Sequence, residues 1–282
     1  MSKAITNNTI SKGANTMLNT TIITEALVNL GFKKVEAVTV TKNGVQKTGM
    51  RYYPEGSNVC PTVYIDDLTE DEAIDTCKQL FSKPIPVINN NPFEDFDKSR
   101  LFARVYRKGF SGSDLTREIL DLEVVAAYRF DFEDGKGSCT LTKAHAESIG
   151  LDADELIETA LKNSFNDCKV WKIGDLLAKL MPNQKFPDGD MPMFVLTSLS
   201  GAHGASNLLN TKTLSEIAES VGNDLFVLPS SIHEVIAIPA IGNANEVRTI
   251  VQTINASEVE ADEVLSDSVY RFNSESKQLN IA

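Results

Sequence analysis

The sequence predicts an α+β fold, with mixed or antiparallel sheets built from hairpins and covered by packed helices. Three observations carry this. Strand-like segments come in pairs joined by tight turns, not as regular βαβ units. Helical periodicities are interleaved with them irregularly. Apolar residues make up 42% of 282, enough for a chain of this length to build a core without a disulfide or metal staple.

The elements follow in chain order. Residues 1–16, rich in Ser, Thr and Asn, are expected to form a mobile leader, because Ile5 and Ile10 bury too little to offset the entropy of ordering. Ile22, Ile23, Ala26, Leu27 and Leu30 recur at helical spacing, and Gly31 closes that helix. Val35–Thr41 and Val45–Tyr53 flank Lys42-Asn43-Gly44, a hairpin turn, and Thr62–Ile65 is a third strand. Thr69 and Glu72 make a capping box for a helix with Ala73, Ile74, Cys77, Leu80 and Phe81 on its apolar stripe, ending before Pro84. The segment Pro84–Pro92 divides an N-terminal α/β subdomain, 17–83, from a C-terminal α+β domain, 93–282.

Beyond it, Leu122, Val124, Ala126, Tyr128, Phe130 and Phe132 alternate with Asp121, Glu123, Arg129, Asp131 and Glu133, the signature of a strand with one buried and one solvated acidic face. Asp134-Gly135 turns it back into Ser138–Thr142. Asp152 and Glu155 suggest a capping box, followed by a helix burying Leu156, Ile157, Ala160 and Leu161 and by another over Ile173–Leu180. Met193–Leu199, Leu225–Leu228 and Ile232–Ile238 are strand-like, and 201–206 is a turn. Thr213 with Glu216 caps a helix closed by Gly222, and Val247–Ile254 marks the last helix.

Charge and cysteine usage narrow the function classes. With 27 Lys and Arg against 39 Asp and Glu, a net −12 disfavours nucleic acid, so another protein is the expected partner. The main basic cluster is Arg100, Arg104, Arg107 and Lys108. Helical spacing would align the three arginines as a solvated face, with a phosphate or acidic-partner patch as the alternative. Cys60, Cys77, Cys139 and Cys168 contain no CxxC, which suits a reducing cytoplasm. Neither a secretion signal nor an apolar run of membrane-spanning length is visible.

Chemistry-bearing motifs stop short of a reaction, and no cofactor is expected. Gly135-Lys136-Gly137-Ser138 fails the phosphate-loop pattern. His233-Glu234 lacks the second zinc-ligating histidine, because Ala237 stands four residues on. The catalytic candidates are Ser230, Ser231 and His233, with Asp121 as a remote carboxylate, since Glu234 on a strand would face away from His233. As a binding or structural corner, the candidates are Pro229, Ser230, Ser231, His233 and Glu234.

Leu196-Thr197-Ser198, Gly204-Ala205-Ser206 and Leu225–Ile236, with Pro229-Ser230-Ser231-Ile232-His233-Glu234-Val235 as its specific part, resemble a family of uncharacterised proteins. That family occurs in low-GC Gram-positive bacteria and their mobile elements, as a domain of unknown function. Pro61–Ile65, Leu120–Val125 and Leu265–Tyr270 add to the resemblance, which implies a bacterial or phage-related origin and no reaction. The leading expectation is an intracellular protein that binds another macromolecule. A Ser/His hydrolase and an acidic nucleic-acid mimic are the alternatives.

Overall fold

The computed structural model describes residues 18–57, 59–85, 92–132, 135–174 and 192–282. The expected leader, most of the 84–92 segment and the helix expected beyond residue 174 lie outside them. The chain divides into two compact units, 1–40 with 47–88 and 41–46 with 89–282.

In the first unit, helix α1 (Thr20–Asn29) starts where the Asn19 side chain accepts from the amides of Thr21 and Ile22. It ends before Gly31, whose φ of +102° suits glycine best. Strands β1 (Val35–Lys42), β2 (Val45–Tyr52) and β3 (Thr62–Tyr64) form a sheet in that order. The turn between the first two, which counts with the second unit, has Asn43 and Gly44 at φ of +43° and +85°, as a tight hairpin turn demands. Helix α2 (Glu70–Phe81) opens with the reciprocal Thr69–Glu72 capping box. Ile23, Leu27, Met50, Val63, Ile65, Ala73, Cys77 and Phe81 make the core. Burial pushes the Cys77 thiol up to about 11, leaving it an inert small hydrophobe.

The second unit holds two antiparallel sheets around one core. In the four-stranded sheet, β6 (Leu122–Phe132) pairs with β4 (Leu101–Arg107), β5 (Thr116–Ile119) and β7 (Gly135–Thr140). Strand β4 is where helical spacing of the arginines was expected. The alternation of Leu101, Ala103 and Val105 prevails instead, and it sends Arg104 and Arg107 to opposite faces. The strand β6 is buried on both faces over its first half: besides Leu122, Val124, Ala126 and Tyr128, the opposite set Glu123, Val125 and Ala127 is also buried. Its expected solvated acidic face is therefore confined to the far end, where Asp131 is exposed, because Glu123, Val125 and Ala127 are buried at the near end.

Helices α3 (Lys143–Ile149) and α4 (Ala153–Asn166) follow. Asp152 caps α4 through the amide of Asp154, while Glu155 pairs with Lys98 and does not complete a capping box. The six-stranded sheet runs β13-β12-β10-β11-β9-β8. These strands are β8 (Cys168–Lys172), β9 (Phe194–Ser198), β10 (Leu225–Leu228), β11 (Glu234–Pro239), β12 (Tyr270–Phe272) and β13 (Leu279–Ile281). One face, with Leu196, Val227, Val235 and Tyr270, joins β4, β6 and α4 in the main core. The other face packs Phe226 and Ile238 against Val251 of helix α6 (Ala244–Ser257). Helix α5 (Thr211–Val221) begins one turn earlier than Thr213 suggested, because Asn210 takes the cap by accepting from the Thr213 amide.

Candidate functional site

The segment 230–233 is a bent link ahead of β11, with Ser231 N donating to Glu234 O, and strand geometry does not govern its side chains. Every polar group of His233 is engaged. Its amide donates to Ser231 Oγ at 3.0 Å, and its carbonyl accepts from Gly204 N and Thr197 Oγ1, each at 2.9 Å. Nδ1 accepts from the His203 amide at 3.2 Å, which assigns the proton to Nε2, 3.2 Å from Glu263 Oε1. A neutral imidazole bonded in this way has no lone pair left to accept a proton from a nucleophile.

The predicted candidates occupy distinct places. Ser231 is buried and spends its oxygen on a backbone amide two residues on, in a local turn. Pro229 is buried, Ser230 precedes the corner, and Glu234 opens β11 opposite Thr197. Asp121 is bonded elsewhere, to Ser266 Oγ at 2.9 Å, Ser268 Oγ at 2.7 Å and the Tyr270 hydroxyl at 2.7 Å. The carboxylate at the imidazole is Glu263, which shares no motif spacing with His233. Only the backbone path, in which Ile232 N donates to Glu263 O, brings it there. Burial opposes ionisation of Asp121, but its hydroxyl donors outweigh that and hold the carboxyl below its ordinary range. Burial drives the Tyr270 phenol upward.

Under the corner lies a 3₁₀ helix, Gly204–Leu209, which the sequence had suggested only as a turn. It rests directly on β9, so close that a Cβ on Gly204 would sit 2.4 Å from Ser198 N. Buried Asn207 bonds the carbonyls of Thr197 and Gly204, and Asn210 bonds Asn207 Oδ1. Just before this helix, His203 has a left-handed backbone, φ +55°. Its ring stands 5.4 Å from that of His233 and 5.9 Å from that of Phe102.

The family model for DUF5688, a family of unknown function, matches residues 115–274, more than half of the chain. The chain belongs to this family. No curated protein and no solved structure matches it. Within the DUF5688 region, the segments carrying the sequence resemblance converge in two places. Leu196–Ser198, Gly204–Ser206 and Pro229–Val235 meet at the His233 carbonyl, while Leu120–Val125 and Leu265–Tyr270 meet at the Asp121 carboxylate. Among the described residues, no group of three or more His, Cys, Asp or Glu is arranged to hold a metal ion. None of the described helices is long and apolar enough to cross a membrane.

Burial, followed by the electrostatic influence of Arg104, the neighbouring His233 and Arg129, pulls the His203 imidazole down to about 3. Its folded value lies below the unfolded value near 6.5, so the unfolded chain takes up a proton that the native state refuses. Native stability is thus complete above pH 6.5 and falls as the pH drops toward 3, by up to about 1.4 kcal/mol per pH unit. His203→Asn, which tolerates the same left-handed backbone, should flatten the decline between pH 6.5 and 5 in urea unfolding. An unchanged slope would refute the assignment.

Proposed function

We propose that the chain acts by binding another macromolecule, most simply a protein, through the face around the 199–203 loop and the His233 corner. The observation that carries this is the engagement of both His233 nitrogens, together with Ser231 accepting from backbone. That arrangement builds a rigid corner and leaves no proton acceptor for a hydroxyl nucleophile. Beside the corner, Leu199 is 65% exposed on a loop fixed by Ser198 Oγ, which donates to Ala202 O and accepts from Ala202 N. An apolar side chain offered on a rigid loop is a suitable contact element.

The net charge of −12 favours a protein over nucleic acid as partner. The reading includes a bacterial or mobile-element genome, supported by the Pro229–Val235 resemblance, and a reducing cytoplasm, supported by four free cysteines.

The test uses Leu199→Glu and His233→Gln in affinity capture from the native host. Leu199→Glu is expected to keep the melting temperature and lose a partner that the native protein retains. His233→Gln should cost roughly 1–3 kcal/mol through imperfectly paired, half-buried groups, while its folded fraction still binds. A stable His233→Gln protein that retains the partner but loses turnover of an ester or amide would replace this reading with the hydrolase.

A further inference from the structure

We propose that Arg104 and Arg129, with His203 beside them, form a binding site for a phosphate-class oxyanion. The site goes beyond the partner-binding reading and does not depend on it. Strand β4 sends Phe102 and Arg104 to the same face of the four-stranded sheet, and Arg129 comes from the far half of β6. Both guanidiniums lie over the buried Phe102 ring, Arg129 at 4.4 Å and Arg104 at 5.2 Å from its centroid. Stacking on an apolar ring fixes their planes and leaves their edges available.

Their compensation is incomplete. Arg104 donates Nη1 to Thr140 Oγ1 at 3.0 Å and Nη2 to Ser138 Oγ at 2.7 Å, hydroxyls of β7 that orient the fork without neutralising it. No carboxylate pairs with it among the described residues, and its buried Nε has no acceptor. Of the five N–H groups of a guanidinium, one on each terminal nitrogen is therefore left for a ligand. Arg129 has one carboxylate, Asp167, at 3.5 Å. The other acidic groups nearby are committed, Asp131 to Arg100, Glu123 to the Ser111 amide and Glu263 to His233.

Asp167 offsets Arg129 and leaves Arg104 uncompensated, so the two guanidiniums over the Phe102 ring retain one positive charge that a bound anion would offset, and a tetrahedral phosphate offers acceptors in more directions than a planar carboxylate. His203 completes the site. Its ring meets Phe102 and feels both arginines, and it has no hydrogen-bond partner among the described residues. A bound phosphate would give it an acceptor. Arg129 and His203 fall within the residues matched to the family, whereas Phe102 and Arg104 precede them.

The experiment titrates the full chain with inorganic phosphate at constant ionic strength and follows the imidazole proton resonances of the three histidines. His145, whose Nδ1 accepts from the Thr142 amide away from this face, is the internal control. A saturable millimolar shift of His203 with His145 unmoved is expected. Equal drift of all three, or no shift, would overturn the site. Arg104→Gln and Arg129→Gln should each weaken phosphate about tenfold, and Arg104→Lys, which keeps the charge but loses the fork, should weaken it less. Should Arg104→Gln fail to fold, Arg104→Lys and Arg129→Gln decide, and undiminished affinity in both would overturn the proposal. Acetate binding as tightly as phosphate would overturn the preference for a tetrahedral anion. Phenyl phosphate distinguishes sources: tighter binding than inorganic phosphate supports the site as one for an esterified ligand, and equal or weaker binding supports it as one for the free anion.

Discussion

Gly204→Ala is expected to destabilise the protein by about 4 kcal/mol or more. The new methyl would lie 2.4 Å from Ser198 N and 2.5 Å from Thr197 Cα, both backbone atoms of a central strand that cannot move aside alone. Relief requires lifting the 3₁₀ helix off β9. That would break the bonds from Gly204 N to the His233 carbonyl and from Asn207 to the Thr197 carbonyl. Urea unfolding measures the loss, and a cost below about 1 kcal/mol, the size of a surface effect, would show that the helix floats. Gly201→Ala supplies the contrast. Its φ of +76° strains an alanine but nothing stands within 4 Å of the added atom, so a loss near 1 kcal/mol is expected there.

Asp121→Ala is expected to cost about 3–5 kcal/mol. One half-buried carboxylate accepts from three hydroxyls, and its removal leaves the fully buried Tyr270 and the neighbouring Ser266 without their acceptor. Tyr270→Phe, which removes a single donor, should cost about 1–2 kcal/mol. The double variant should cost less than the sum, because the tyrosine no longer has an acceptor to lose. The Asp121 carboxyl is held below its unfolded value, so its contribution is present above that value and is lost as the pH falls through the folded one. Additive effects in the cycle would show that the carboxylate and phenol do not interact.

Legibility followed sequence separation. The Asn43-Gly44 turn and the Thr69–Glu72 box act within four residues, and the structure has both where the sequence put them. The strand β4 was obscured because arginines at 100, 104 and 107 match helical spacing as well as they decorate a strand. Cap choice misled at Thr213, since Asn210 is an equally good acceptor three residues earlier. At the corner, His233 stood out from the sequence, but Glu263 is separated from it by 30 residues and is brought there by tertiary structure alone. The pair Arg104–Arg129 was hidden for the same reason, as strand pairing alone brings both to the Phe102 ring.

The segment 263–270 also bears on the order of assembly. It bonds Ile232 through Glu263, Asn43 and Arg107 through the Val264 carbonyl, and Asp121 through Ser266, Ser268 and Tyr270. These contacts close loops of up to 221 residues. Loop closure of that length is slow, and during synthesis the segment emerges after every partner it bonds. A nascent chain is thus expected to hold β4–β7 and α4 formed while the Asp121 carboxylate and the His233 imidazole still wait for partners. Emergence of residues 263–270 then becomes the committing step of folding, and chains stopped near residue 260 are the ones chaperones or proteases should capture.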